Sequence, residues 1–365
     1  MAEVSARSGL RTEGRRLALG ACLALLGRAL QEWPAFVEWH RSNLAPFWAA
    51  IQQPVAGLFS GTIGEALAVL VVAGAIAGVV RARGRGLGSV FICAGALILA
   101  FYVIWGVAYR YPDLGSRLAP LPVDEMRPQK ERIEALALRA ALLVSQAASE
   151  SAASRDASLS SINAALREGY EALPERLEVS PVHARVFSSA KVSRVSFALS
   201  RLQLSGYYFP WTGEAQINGE MPVSLWPRVA AHELAHQRGF ARENEATVVG
   251  LLACLASKDP FVRYGGSLGL FASFDRELRR LDPSAREAVW ARLPRVAVED
   301  FEREAAFWKR FDGPAATVSE KVNDRYLKTQ GVRSGVQSYG ETTRLLLQAV
   351  ATPGIRIPWP VVQSP

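Results

Sequence analysis

Apolar positions fall into three long stretches near the start of the chain and become periodic after it. Residues 17–27 form an apolar run behind a polar start that carries Arg7, Arg11, Arg15 and Arg16. The run is short for a span. Extended toward Trp33 and Trp39 it predicts a membrane anchor with tryptophans at the interface; the alternative is the core of a signal peptide. Residues 63–80 are apolar apart from Glu65, and residues 87–109 read LGSVFICAGALILAFYVIWGVAY. An arginine turn with Arg81, Arg83 and Arg85 joins these two. The pattern predicts a membrane region over residues 1–110 with about three transmembrane helices. The positive-inside rule places the arginine turn in the cytoplasm and the rest of the chain outside it.

A proline-containing linker follows at 111–128, and a domain at 129–352 with a different periodicity. Residues 129–149 and 162–173 repeat apolar positions at helical spacing. Residues 183–204 alternate in places, as in Val192-Ser193-Arg194-Val195-Ser196-Phe197, which predicts strands. In YYFPWTGEAQIN, residues 207–218, aromatic and β-tolerant residues surround a Thr-Gly-Glu turn. This predicts an extended segment that is either an edge for a peptide substrate or a small hairpin capping a helical core. Residues 243–257, 261–274 and 276–311 read as helices, and 353–365 as a Pro-rich tail.

Composition narrows the function classes. Half of the residues are hydrophobic and the net charge is +8, with no lysine-rich run and no aromatic–basic interleaving. The basic balance therefore reads as membrane-topology charge plus an arginine-rich solvated surface, and no nucleic-acid partner is expected. The three cysteines, Cys22, Cys93 and Cys254, allow neither a disulfide framework nor a CxxC metal site in the C-terminal part.

The chemistry concentrates at His232-Glu233-Leu234-Ala235-His236, an HExxH pattern in a chain with four histidines. On a helix, positions i and i+4 share a face, so both imidazoles can address one metal ion. Glu233 stands beside the first, placed to reach a metal-bound water. Trp226-Pro227 is the predicted helix start and Gly239 the predicted stop. A catalytic zinc site has three protein ligands and one open position. The remaining histidines, His40 and His183, lie far off in sequence, which turns the search to Glu243 and Glu245. Two positions apart on a helix means about 200° apart, so one of them faces the metal. Glu243 has Ala246 and Thr247 on its own face, which suits packing on the metal helix and favours it over Glu245.

His232-Glu233-x-x-His236 followed by Glu243-x-x-Ala246 resembles the gluzincin class of zinc metallopeptidases, whose third ligand is the first glutamate of an ExxA(D/N) signature. Thr247 departs from the usual Asp or Asn. The stretches YYFPWTGEAQIN, HELAHQRGFARENEA and NDRYLKTQGVRSGVQSYG are similar to an uncharacterised bacterial membrane-anchored HExxH family, catalogued as a domain of unknown function. The resemblance implies a membrane-bound zinc peptidase. The expected fold is mainly α, with N-terminal transmembrane helices followed by a mostly helical zincin-like α+β domain with a small β-sheet before the HExxH helix.

The expected function is a membrane-anchored zinc metallopeptidase. Zn2+ is held by His232, His236 and Glu243, and Glu233 is the general base for a zinc-activated water. Tyr339, Tyr326, Tyr264 and His183 are candidates to stabilise the oxyanion, and Glu214 and Asn218 to shape the cleft. Expected partners are a peptide or protein substrate and the lipid bilayer. The expected location is the bacterial cytoplasmic membrane, multi-pass, with the catalytic domain extracytoplasmic. The competing readings are a zinc-binding but catalytically inactive membrane scaffold and a coincidental motif.

Overall fold

In the computed structural model, residues 2–81, 87–122, 129–151, 157–179, 188–330 and 339–360 are described. The elements run α1 (Ala2–Leu30), α2 (Pro34–Trp39), a π-helical turn (His40–Leu44), α3 (Ala45–Gly57), α4 (Ile63–Arg81), α5 (Leu87–Ile104), α6 (Lys130–Glu150) and α7 (Leu159–Glu171). Then come β1 (Lys191–Val192), α8 (Ser196–Arg201), β2 (Gly206–Phe209), β3 (Glu214–Ile217), α9 (Trp226–Gln237), α10 (Glu243–Ala256) and α11 (Pro260–Leu281). The chain closes with α12 (Pro283–Trp290), α13 (Arg295–Lys309), α14 (Pro314–Thr329) and α15 (Tyr339–Ala351). It is mostly helical, with one small sheet of strand order β1-β3-β2. Two compact units are formed, Met1–Tyr111 with Phe209–Glu214, and Pro112–Tyr208 with Ala215–Pro365.

In the first unit α1 lies along α5, where Gly20 meets the backbone at Phe91 and Gly95 meets that of Gly20. Glu214 anchors the start of α4. Its two carboxylate oxygens accept from the backbone N–H groups of Ile63 and Gly64 at 3.0 and 2.6 Å, a negative charge at a helix N-terminus. His40 is buried. Its Nε2 donates to the Val103 carbonyl at 2.6 Å, so its Nδ1 accepts from the Tyr111 hydroxyl at 2.6 Å. Burial pushes its pKa down to about 4, and this histidine is a neutral structural bridge.

The hydropathy pattern predicts three membrane spans in this unit, and the structure overturns that. Among the described residues no helix is long and apolar enough to cross a membrane. The physical reason lies in the lengths. α1 is long, but its apolar run covers 17–27 only and charged residues flank it. α4 carries Glu65 in its first turn and Arg81 at its last described residue, which leaves residues 66–80 as its uninterrupted apolar run. The predicted 87–109 span breaks after Ile104, where the backbone tightens into a 3-10 turn over Gly106–Arg110. Arg83 and Arg85 lie outside the described residues. The multi-pass location in a bacterial cytoplasmic membrane, with an extracytoplasmic catalytic domain, falls with the spans. The unit does expose Leu25, Phe47, Val69, Leu70, Ile76 and Phe91.

The second unit is built on α11. Asp259 caps it by accepting from the Val262 N–H at 2.9 Å, with Pro260 in the first turn. Phe271, Phe274 and Leu278 of α11 are fully buried, as are Ile133, Ala137, Ala140 and Val144 of α6. The α6 positions recur at helical spacing, which presents one apolar stripe to the core. Cys254 of α10 is sealed in the same core, with its sulfur 3.5 Å from the Pro227 carbonyl. Tyr264 is also committed to packing, donating to the buried Asp300 carboxylate at 2.6 Å.

The sheet is smaller than the alternation around 192–197 predicts. β1 covers Lys191–Val192 and runs parallel to β3, with Lys191 beside Gln216 and Val192 beside Ile217. The strand stops because Ser193 accepts from the Val195 N–H through its hydroxyl and from the Ser196 hydroxyl through its carbonyl. These local bonds start α8 in place of a longer ladder.

Candidate metal centre

The HExxH residues lie on α9, whose start at Trp226-Pro227 and end before Gly239 match the expected boundaries. The end of this helix matters chemically. Gly239 takes φ +93°. The Gly239 N–H bonds the His236 carbonyl at 2.8 Å and the Phe240 N–H bonds the Ala235 carbonyl at 3.2 Å, the two bonds of a Schellman turn. Folding the chain back this way brings the Phe240 carbonyl to His236 Nδ1 at 2.6 Å. A carbonyl can only accept, so Nδ1 carries the proton and Nε2 presents its lone pair.

α10 begins four residues after Gly239 and packs on α9, with Gly250 against the backbone at Ala231 and His232. That packing brings Glu243 to the histidines. Its Oε2 lies 3.1 Å from His232 Nε2 and 3.7 Å from His236 Nε2, and the two Nε2 atoms are 3.1 Å apart. Zinc bonds of 2.0–2.2 Å in a tetrahedron require ligand atoms roughly 3.3 Å apart, so the three spacings fit one ion. The three ligand atoms all lie within 4.8 Å of one another. Glu245 faces elsewhere. Its Oε1 accepts from the Leu114 N–H at 3.0 Å and from Arg242 at 2.7 Å.

His232 is held by Thr247. The Thr247 hydroxyl donates to the Glu243 carbonyl at 2.8 Å and lies 3.2 Å from His232 Nδ1. With its one proton directed at the carbonyl, the hydroxyl accepts from Nδ1–H. Both imidazoles therefore commit Nδ1–H to a protein oxygen and aim Nε2 at the same point, where a cation or a shared proton relieves the repulsion of the two lone pairs. The charges agree. Burial works against a charged His236, yet the Glu243 carboxylate beside it pushes its pKa up to about 9. Burial also works against the charged form of Glu243, but the two histidines hold its carboxyl well below the usual range.

Glu233 is the odd member. It is 4% exposed, and burial pushes its pKa up to about 7 against the pull of His232 and His236. Its Oε2 has no hydrogen-bond partner among the described residues. Its other oxygen lies against β2, where a β-carbon on Gly206 would stand 2.8 Å from Oε1.

The remaining candidates divide. Glu214 serves the α4 N-terminus, as above. Asn218 is fully buried, donates to Ser200 at 3.0 Å and accepts from the Glu220 N–H at 3.0 Å, so it shapes the loop after β3. Tyr326 sits half-buried on α14. Tyr339 opens α15, and its side chain lies outside the described residues, as does His183. Asn244 donates to Glu341 at 3.2 Å, which ties the first turn of α15 to the first turn of α10. Two contributors escape a reading of side chains, the Phe240 carbonyl and Gly206. Gly206 did leave a signal, because a glycine at the start of a strand marks close backbone approach.

The model of a family described as "Protein of unknown function (DUF3810)" matches residues 41–347. No curated protein and no solved structure matches the chain. The family match takes in α9, α10 and the β2–β3 hairpin, and the chain belongs to this family of unknown function.

Proposed function

We propose that the protein is a zinc-dependent peptidase, with His232, His236 and Glu243 as metal ligands and Glu233 as general base. A zinc ion supplies a Lewis acid that lowers the pKa of water toward neutrality and polarises a carbonyl. The observation that carries catalysis beyond metal binding is the orphaned Glu233 Oε2, a buried carboxyl oxygen with no hydrogen-bond partner among the described residues. Leaving such a group unpaired costs about 1–3 kcal/mol, which a purely structural site has no reason to bear. A structural zinc site is also closed by four protein ligands, whereas three gather here among the described residues.

With a pKa near 7, Glu233 is poised to take a proton from water and return it to a leaving amine. A peptide is favoured as substrate because β2, at the edge of the sheet, passes directly against Glu233. An extended chain pairs with such an edge through its backbone. The test uses the full chain. Glu233→Gln retains one zinc per chain and loses hydrolysis. New protein N-termini are then compared between cells making the wild type and the variant. A wild-type protein without zinc, or a zinc-loaded Glu233→Gln protein that cleaves normally, overturns the reading.

A further inference from the structure

Each imidazole of the metal centre leans on an uncharged oxygen, the Phe240 carbonyl for His236 and the Thr247 hydroxyl for His232. A carboxylate in either place would make the ring a stronger electron donor to the metal, and such supporting groups change affinity about 10–100-fold. Thr247 also couples two ligands at once, because it bonds the Glu243 backbone and the His232 ring. It spans α9 and α10 where they meet, one turn after Glu243.

We propose that Thr247 is the positioning residue that holds His232 in its metal-binding tautomer against Glu243, and that its neutral hydroxyl holds the ion less tightly than a carboxylate in its place would. The inference rests on the zinc reading above and concerns how tightly that ion is kept. The hydroxyl's single proton is directed at the Glu243 carbonyl, so the bond to His232 has one possible direction. Thr247 thereby fixes the tautomer without adding charge.

The test measures zinc affinity of the full-length protein by competition with a chromophoric chelator, zinc release into excess chelator, and the cobalt(II) absorption spectrum. Thr247→Val, which keeps the shape and removes the oxygen, is expected to weaken zinc binding about tenfold or more. It should also change the cobalt spectrum. Thr247→Ser, which restores the oxygen, stays within about threefold of the wild type. Thr247→Asp binds zinc more tightly and releases it more slowly. Equal zinc affinity for the folded valine variant and the wild type overturns the inference. So does an aspartate variant that binds no more tightly, and that arm decides alone where the valine protein does not fold. A wild type that takes up no zinc removes the zinc reading itself, a different result from unchanged affinity across the variants.

Discussion

Gly206 and Glu233 occupy one another's space. A β-carbon on Gly206 would come within 2.8 Å of Glu233 Oε1 and 2.9 Å of its Cγ, and within 2.6 Å of the Gln216 carbonyl. The strand lies against the carboxylate so closely that one methyl group must displace one or the other. Gly206→Ala is therefore expected to lower stability by about 1–3 kcal/mol, the usual cost of overpacking. It should slow hydrolysis tenfold or more, which takes about 1.4 kcal/mol of misplacement, and leave zinc content unchanged. Thermal melts, metal analysis and a peptide-cleavage assay read the three quantities. Normal cleavage at a lowered melting temperature would show that Glu233 does not depend on the strand for its position.

Glu243 and Glu245 part company on α10, and their substitutions should do the same. Glu243→Gln is expected to abolish stoichiometric zinc binding with little loss of fold. Glu245→Ala should keep zinc and cost about 1–3 kcal/mol, because the Leu114 N–H loses its acceptor. Metal content and chemical denaturation of the two proteins check this. The reverse pattern would move the third ligand to Glu245.

Gly239 serves both the fold and the candidate site. Gly239→Ala forces a side chain into a left-handed backbone position, at about 1–2 kcal/mol. The strain also loosens the turn that delivers the Phe240 carbonyl to His236. Zinc affinity should therefore fall together with stability, in contrast to Glu245→Ala. A zinc titration beside a denaturation curve distinguishes the two behaviours.

The metal-free protein should lose stability as pH rises. Glu233 holds its proton to about pH 7 against an ordinary 4.5, and His236 to about pH 9 against an ordinary 6.5. A pKa raised by folding contributes stability that is full below the ordinary value and lost as pH climbs through the folded one. The Glu233 contribution fades between 4.5 and about 7, and that of His236 between 6.5 and about 9. Glu243 runs the opposite way, its contribution present above its ordinary 4.5 and lost in acid. The melting temperature of chelator-treated protein should decline from pH 5 to pH 9. Zinc affinity should rise over the same window, because the ion must displace the His236 proton. A melting temperature that increases toward pH 9 contradicts this.

The HExxH helix was legible because its information is local. Histidines four apart, a proline start and a glycine stop are all written within fourteen residues, Trp226 to Gly239. That Glu243 and Glu245 face different ways on α10 was legible for the same reason, since helical rotation separates neighbours two apart. Glu214 was not. It sits in a segment that also looks like a cleft wall, and beside the nearby Thr212 hydroxyl it binds backbone N–H groups about 150 residues away, with no residue type to announce them. The Phe240 carbonyl is invisible for a related reason, since every residue carries one. Hydropathy misled at residues 87–109, where composition alone does not reveal that the helix ends after Ile104. The alternation at 192–197 misled because serine hydroxyls can satisfy the backbone locally, and Ser193 does so.

Cys254 gives the protein a built-in clock. Cys22 and Cys93 are exposed, whereas Cys254 is sealed and burial pushes its thiol pKa up. A thiol reagent should therefore label two sites at once and the third only when α10 lifts from α9 or from α11. A lift from α9 also separates Glu243 from the histidines. The rate of the third labelling event thus sets an upper bound on how often the candidate centre comes apart, and an ion that bridges α9 and α10 should slow the part of it that runs through their separation.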